Sequence, residues 1–280
     1  ATFSPNFQYY INTFSSASQP TTYTLNEAKV GKQVQVIENN ESLASKLKSY
    51  NLPAKEFFVL KTAKGNELNA WMIKPKDFDP TKKYPVFMYQ YSGPGSQQVN
   101  NEWNSTDDYW FMMLSQQGYI VACVDGRGTG FKGADFKKVT QLQLGKYEVE
   151  DQIDAAKVIG NYAFVDKSRI GIFGWSYGGF MASNCIMKGN DVFKMAIAVA
   201  PVTNWRFYDS VYTERYMTTP QENASGYDDN SPINHVDKLK GKFLLIHGSG
   251  DDNVHVQNSM QMMEALIQAN KQFDSQIYPD

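Results

Sequence analysis

Thirteen residues, Arg169 to Met181 (R-I-G-I-F-G-W-S-Y-G-G-F-M), carry the most chemically suggestive spacing in the chain. Arg169 to Phe173 alternate apolar and small residues as a buried strand does, and Gly174-Trp175-Ser176-Tyr177-Gly178 then spells G-x-S-x-G, the pattern of a nucleophile elbow. A chain that turns from strand to helix so sharply holds its central serine in a strained backbone conformation, at a cost on the order of 1–3 kcal/mol, and exposes its hydroxyl. Glycines at 174 and 178 remove Cβ atoms from the tight crossing, and Gly179 leaves further room. A helix opening near Tyr177 points unsatisfied amide groups at the place where an oxyanion would form.

A serine nucleophile needs a base and an acid that orients the base, and behind a G-x-S-x-G elbow they follow in the order Ser, Asp, His. The strand pattern Phe243 to His247 runs into Gly248-Ser249-Gly250-Asp251-Asp252-Asn253-Val254-His255, so Asp251 or Asp252 is the candidate acid, and position alone does not choose between them. The other one of the pair then caps the following helix. The base is harder to place. His235 precedes the acid, His247 ends its strand and His255 lies only four residues beyond Asp251. The expected base sits on a loop after the next strand, Phe273 to Tyr278, so the catalytic histidine is expected just past Asp280, with His255 as the alternative. A second oxyanion donor is expected from Gln90-Tyr91-Ser92-Gly93-Pro94-Gly95-Ser96, either as a backbone amide near Gly93 and Gly95 or as the Tyr91 phenol.

Other patterns carry less. Gly128 to Gly133 spells G-x-G-x-x-G after a strand, but the residues that follow open no convincing amphipathic helix and no acidic residue closes a second strand, which argues against a dinucleotide site. Glu148, Glu150, Asp151 and Asp154 read as the solvated face of a helix. Cys123 and Cys185 read as buried thiols, and no His or Cys spacing suggests a metal. No cofactor is called for.

A length of 280 residues accommodates one large α/β domain with an appendage, or two ordinary domains. The net charge of −2, with both signs interspersed, gives no electrostatic footprint for nucleic acid. No apolar run approaches the roughly twenty residues that span a bilayer, and residues 1–30 lack a signal-peptide pattern.

Residues 1–50 suggest two short antiparallel strands joined by a polar turn, a further strand at 34–37 and a short helix at 41–50. Two strands alone are marginal, so this piece is expected to belong to a larger sheet. From 51 onward a hairpin around Lys64-Gly65-Asn66 gives way to alternating strands and helices. The expected strands are 84–91, 119–125, 166–173, 195–200, 243–247 and 273–278, and the helices lie near 107–117, 147–162, 180–187 and 256–269. That order predicts an α/β-hydrolase fold with a mostly parallel central sheet.

Several motifs together resemble the prolyl oligopeptidase family of serine peptidases, and within it the dipeptidyl peptidase IV-like branch. They are Gln90 to Pro94, Asp125 to Gly130, Gly145 to Gln152, Gly174 to Gly179, Asp209 to Tyr216 (D-S-V-Y-T-E-R-Y) and His247 to His255, and the likeness covers roughly residues 55–280. The resemblance implies Ser176 as nucleophile, Asp251 as acid, and an oxyanion site made by the Tyr91 hydroxyl and the Tyr177 backbone amide. It also implies a proline-sized pocket from Tyr177, Val202, Trp205, Tyr208, Tyr212 and Val254, with Asn253 binding a substrate carbonyl. Without the resemblance, the spacing of Trp205, Tyr208 and Tyr212 reads as helix packing. The implied activity is release of N-terminal X-Pro or X-Ala dipeptides, with a prolyl endopeptidase, a tripeptidyl peptidase or a non-catalytic binding module as alternatives. The implied parent is a secreted, periplasmic or membrane-tethered homodimer whose β-propeller is missing here, with residues 1–50 as its terminal strands and linker. On that reading 51–280 form the catalytic domain, ending before its histidine, and the fragment alone is expected to be inactive.

Overall fold

The computed structural model describes residues 1–103 and 105–279. Two separate sheets account for all its strands. Strands β1 (Thr2–Phe3), β2 (Tyr9–Ser16), β3 (Gln19–Glu27) and β4 (Gln33–Glu38) form a four-stranded antiparallel meander. Helix α1 (Glu41–Tyr50) follows it and buries none of its residues. The sequence reading found β2, β3, β4 and α1 but not the two-residue β1, which is too short to show a pattern.

The remaining strands are β5 (Lys55–Lys61), β6 (Glu67–Ile73), β7 (Tyr84–Tyr89), β8 (Ile120–Asp125), β9 (Val165–Trp175), β10 (Met195–Val199), β11 (Lys242–Gly248) and β12 (Asp274–Tyr278). They make one eight-stranded sheet in the order β12-β11-β10-β9-β7-β8-β6-β5. Contacts of β6 with β5 and β8 are antiparallel, and every other pairing is parallel. The helices are α2 (Ser105–Gln116), α3 (Ala134–Lys138), α4 (Tyr147–Gly160), α5 (Tyr177–Lys188), α6 (Ser210–Met217), α7 (Ala224–Asp228) and α8 (Gln257–Gln268). This is the expected α/β-hydrolase plan. Parallel strands covered on both faces read as nearly continuous apolar runs, and β8 (IVACVD) is buried at all six positions.

The core lies on both sides of that sheet. One apolar cluster joins Ile170, Ile172, Phe180, Met181, Ala196, Leu245 and Met262 under α4, α5 and α8, and a second joins Trp71, Phe87, Phe111 and Val121 beneath α2. Cys123 and Cys185 are free and buried.

Only a five-residue helix with no buried residue, α3, follows the glycine-rich run at 128–133. One expectation needs correction: the carboxylates of α4 are not a solvated face, since Glu148 and Asp151 are fully buried. Asp151 is held by three hydrogen bonds from the Arg127 side chain, Nε to both oxygens at 3.1 and 2.9 Å and Nη2 at 2.7 Å, and by the Arg127 backbone amide at 2.7 Å. A buried carboxylate persists only when charge and hydrogen bonds offset its lost hydration, and here a residue 24 positions upstream supplies both.

Candidate active site

The strand order reverses between β7 and β9. The chain leaves β7 toward β8 on one side and leaves β9 toward β10 on the other, so a crevice opens at the C-terminal ends of these two neighbours, where ligands of open α/β sheets bind. Tyr91 lies just past the end of β7 and Ser176 just past the end of β9.

Ser176 has φ 59° and ψ −116°, a left-handed backbone conformation disfavoured for a residue with a Cβ. Its amide donates to the Val199 carbonyl at 2.8 Å and its carbonyl accepts the first bond of α5 from Phe180 at 3.0 Å. The glycines of the elbow are there because backbone fills the space a side chain would need. A Cβ on Gly174 would lie 2.3 Å from the Gly178 carbonyl oxygen, and one on Gly178 would lie 2.6 Å from that of Gln90. Gln90, which the sequence reading quoted without assigning a role, fastens β7 to the elbow by donating from Nε2 to the Gly178 carbonyl at 2.8 Å.

The Ser176 side chain neighbours the Tyr91 phenol. Burial raises the Tyr91 phenol above its ordinary pKa, and the Ser176 hydroxyl acts the other way. Gly95 and Ser96, further along the Tyr91 loop, bond to the glycine-rich turn after β8, Gly95 N–H to Gly128 C=O at 2.9 Å and Gly130 N–H to Ser96 C=O at 2.8 Å. The G-x-G-x-x-G run thus braces the loop that carries Tyr91. Asp125 fixes the same loop by accepting the Val99 and Gln98 amides at 2.8 and 3.0 Å. Burial lifts its carboxyl to about 6, opposed by those two amides.

Asp251 emerges at the same edge of the sheet, two strands from the elbow. Trp175, Val199 and Ile246 stand in register across β9, β10 and β11, and two strand spacings amount to roughly 10 Å. Asp251 Oδ1 accepts the amides of Asn253 and Val254, each at 3.0 Å, while Oδ2 lies 3.4 Å from His247 Nε2. Asp252 is exposed. His247 is buried, with Nε2 bonded to the Val254 carbonyl at 2.7 Å and Nδ1 to Ser259 Oγ at 2.6 Å, so it clasps the turn that carries Asp251. His235 bonds the Asp229 carbonyl at 2.7 Å, and His255 is exposed ahead of α8. Beside β11, β12 arrives at the same edge, where the Tyr278 carbonyl accepts the Ser249 amide at 2.8 Å.

The aromatic residues gather as a group. Asn204 accepts the Arg206 amide and Asp209 the Tyr212 amide, which sets the turn Trp205–Phe207 and the start of α6 so that their rings converge. Trp205 lies 5.4 Å from Tyr177, 6.0 Å from Tyr208 edge-on and 6.0 Å from Tyr212 in a stacked pose. Val202 and Val254 are buried against the same cluster. The Tyr208 hydroxyl donates to Asn253 Oδ1 at 2.7 Å, which draws the aromatic group to the Asp251 turn.

The family model described as the prolyl oligopeptidase family matches residues 104–280. The chain belongs to that family. A probable dipeptidyl-aminopeptidase B of Podospora anserina is 46% identical over 257 residues, covering 90% of this chain and 27% of that protein. Dipeptidyl aminopeptidase B of Saccharomyces cerevisiae is 45% identical over 262 residues, covering 90% and 32%. The crystal structure of Porphyromonas gingivalis dipeptidyl peptidase 4 superposes with a TM-score of 0.97 at 52% identity, over 99% of this chain and 39% of that one. A putative dipeptidyl aminopeptidase IV from Bacteroides ovatus gives 0.91 at 34% identity. The chain spans only about a third of the length of these relatives.

The sequence reading missed Glu148. Its carboxylate accepts the Tyr177 phenol at 2.7 Å and the Gly145 amide at 3.1 Å on each oxygen. No periodicity announces a carboxylate beneath a pocket, because its partner lies 29 residues downstream.

Proposed function

We propose that this chain is the catalytic part of a serine exopeptidase that releases N-terminal dipeptides ending in proline or alanine through an acyl-enzyme on Ser176. The observation that carries this reading is the crevice itself. Ser176, on a strained backbone and beside the Tyr91 phenol, shares one sheet edge with Asp251, whose Oδ1 accepts two amides.

In the proposed reaction Ser176 Oγ attacks the carbonyl carbon of the second substrate residue while an imidazole takes its proton. Asp251 holds that imidazole in the tautomer that accepts from serine. The oxyanion meets the Tyr91 hydroxyl and the Tyr177 amide at the start of α5. Collapse breaks the C–N bond, and the imidazolium protonates the departing amine. Water then hydrolyses the ester by the same route and frees the dipeptide. The imidazole is proposed to come from chain following β12, because β12 delivers the backbone beside Asp251 while His247 and His235 are engaged elsewhere. Tyr177, Val202, Trp205, Tyr208, Tyr212 and Val254 would enclose the pyrrolidine, since aromatic faces bury apolar area at little ordering cost. Asn253 would bind a substrate carbonyl. Residues 1–50 are proposed to be the last strands and linker of a β-propeller in a homodimeric parent.

The test uses the full-length protein. A fluorophosphonate should label Ser176, and free Gly-Pro-p-nitroanilide should be hydrolysed while its N-blocked form is not. S176A should lower the rate by about 10⁶-fold. Activity persisting in S176A, or a preference for the blocked substrate, would sink the dipeptidyl reading.

A further inference from the structure

Glu148 occupies the first turn of α4 with no exposure to solvent. A carboxylate at that depth needs all of its partners, and two of its three hydrogen bonds go to the Gly145 amide, three residues upstream. Those two tie the first turn of α4 to the residue before its N-cap and are explained by the helix start alone. The third, from the Tyr177 phenol at 2.7 Å, is not. It crosses from α4 to the first residue of α5, the residue whose amide faces the oxyanion site and whose ring forms a wall of the aromatic pocket.

Tyr177 packs its ring 5.4 Å from Trp205, 5.3 Å from Phe180 and 6.0 Å from Tyr91. Each of those contacts is apolar and lets the ring slide. Among the described residues the phenol bond is the one directional restraint on that side chain, and it runs to a group that is itself held at both oxygens. One turn further along α4, Gln152 donates to Ser92 Oγ at 3.3 Å and to the Val124 carbonyl at 2.7 Å, and Ser92 bonds Gln90. The buried polar stripe of α4 therefore touches the residue following Tyr91 as well as Tyr177 itself.

Resting on the peptidase reading above, we infer that Glu148 is a positioning residue that tethers the far end of the Tyr177 ring, and so fixes both the pocket wall met by a substrate proline and the amide that receives the oxyanion. Burial pushes its carboxyl up to about 7, opposed by the Tyr177 and Gly145 bonds and reinforced by nearby Asp151. In the ionised form both oxygens accept. In E148Q the new NH₂ would face a donor, and the three bonds could not all persist.

The full-length protein is assayed with Gly-Pro- and Gly-Ala-p-nitroanilide, with active sites counted by fluorophosphonate labelling. E148Q is expected to lose about tenfold or more in kcat/KM toward the proline substrate, within the roughly 10²-fold that a misplacement near 1 Å can cost. The loss should be smaller toward alanine, whose methyl group leans less on the Tyr177 wall. Y177F, which removes one oxygen and keeps the ring, should reproduce that pattern, and E148Q/Y177F should be no worse than the poorer single variant, because both cut one tether. A purely structural role would lower the melting temperature yet leave kcat/KM per labelled site and the Pro/Ala ratio unchanged. That result, or additive losses in the double variant, overturns the assignment. Should E148Q fail to fold, Y177F decides alone. A wild type without Ser176-dependent hydrolysis overturns the peptidase reading together with it, whereas an active wild type with indifferent variants overturns the Glu148 assignment only.

Discussion

The two sheets of this molecule are written in similar residues and end in opposite situations. Across residues 1–50 only Pro20 and Asn26 are buried, while Phe3, Phe7, Phe14, Val34 and Ile37 are each at least half exposed. Across β6 to β11 the apolar side chains are enclosed by helices on both faces, and Leu68, Ala70, Ile73, Val121 and Ala198 have no exposure at all. Hydrogen-bonded pairing alone does not make a core, since a sheet becomes stable by covering a face. The large sheet has that cover and gathers Tyr91, Ser176 and Asp251 along one edge. The small one shows a surface suited to being covered by something else.

That contrast can be sharpened, or broken, by where substitutions register. At the C-terminal edge of the large sheet, D251N in the full-length protein should lower kcat by about 10⁴-fold, as loss of an orienting carboxylate does. The exposed neighbour, tested as D252N, should stay close to wild type. Equal losses at the two positions would remove the assignment of the acid. Y91F comes next, at about 10²–10³-fold in kcat, the cost of one oxyanion donor, read from steady-state kinetics on Gly-Pro-p-nitroanilide. On stability, F180A removes a ring with no exposure and should cost about 3–5 kcal/mol in urea unfolding of this chain. F14A removes one that is 52% exposed and should change it by less than about 0.5 kcal/mol. A large effect at Phe14 would mean that the small sheet shares the core after all.

The smallest effect concerns pH. Glu148 in the fold titrates at about 7, above the roughly 4.3 of an unfolded glutamate. The folded state therefore binds more protons between those values, and its stability falls as pH rises through that window. E148Q cannot take part, so the stability of wild type relative to E148Q should decline from pH 5 to pH 8. Thermal melts at both pH values check the sign.

Much of this was legible in the sequence because it is local. The elbow announces itself in five residues, and parallel strands buried on both faces show as apolar runs between helical periods. The aromatic group of Trp205, Tyr208 and Tyr212 was visible as spacing, but spacing equally describes helix packing, and only the fold brings Tyr177 against it. Glu148 and Asp151 were misread for a related reason. A carboxylate in a helix looks solvated until a partner distant in sequence is placed beside it, as Tyr177 and Arg127 are here. The glycine-rich run after β8 braces the Tyr91 loop through hydrogen bonds across about 33 residues that no local pattern encodes.

The crossing of strand and helix at the elbow also limits how this site can evolve. The atoms that would collide with a Cβ at 174 or 178 include main-chain oxygens, which cannot be retuned by changing a neighbouring side chain. Adaptive drift toward a new substrate must therefore run through the replaceable rings of the pocket, and a saturation library selected for activity should return glycine alone at both positions while tolerating alternatives at Tyr208.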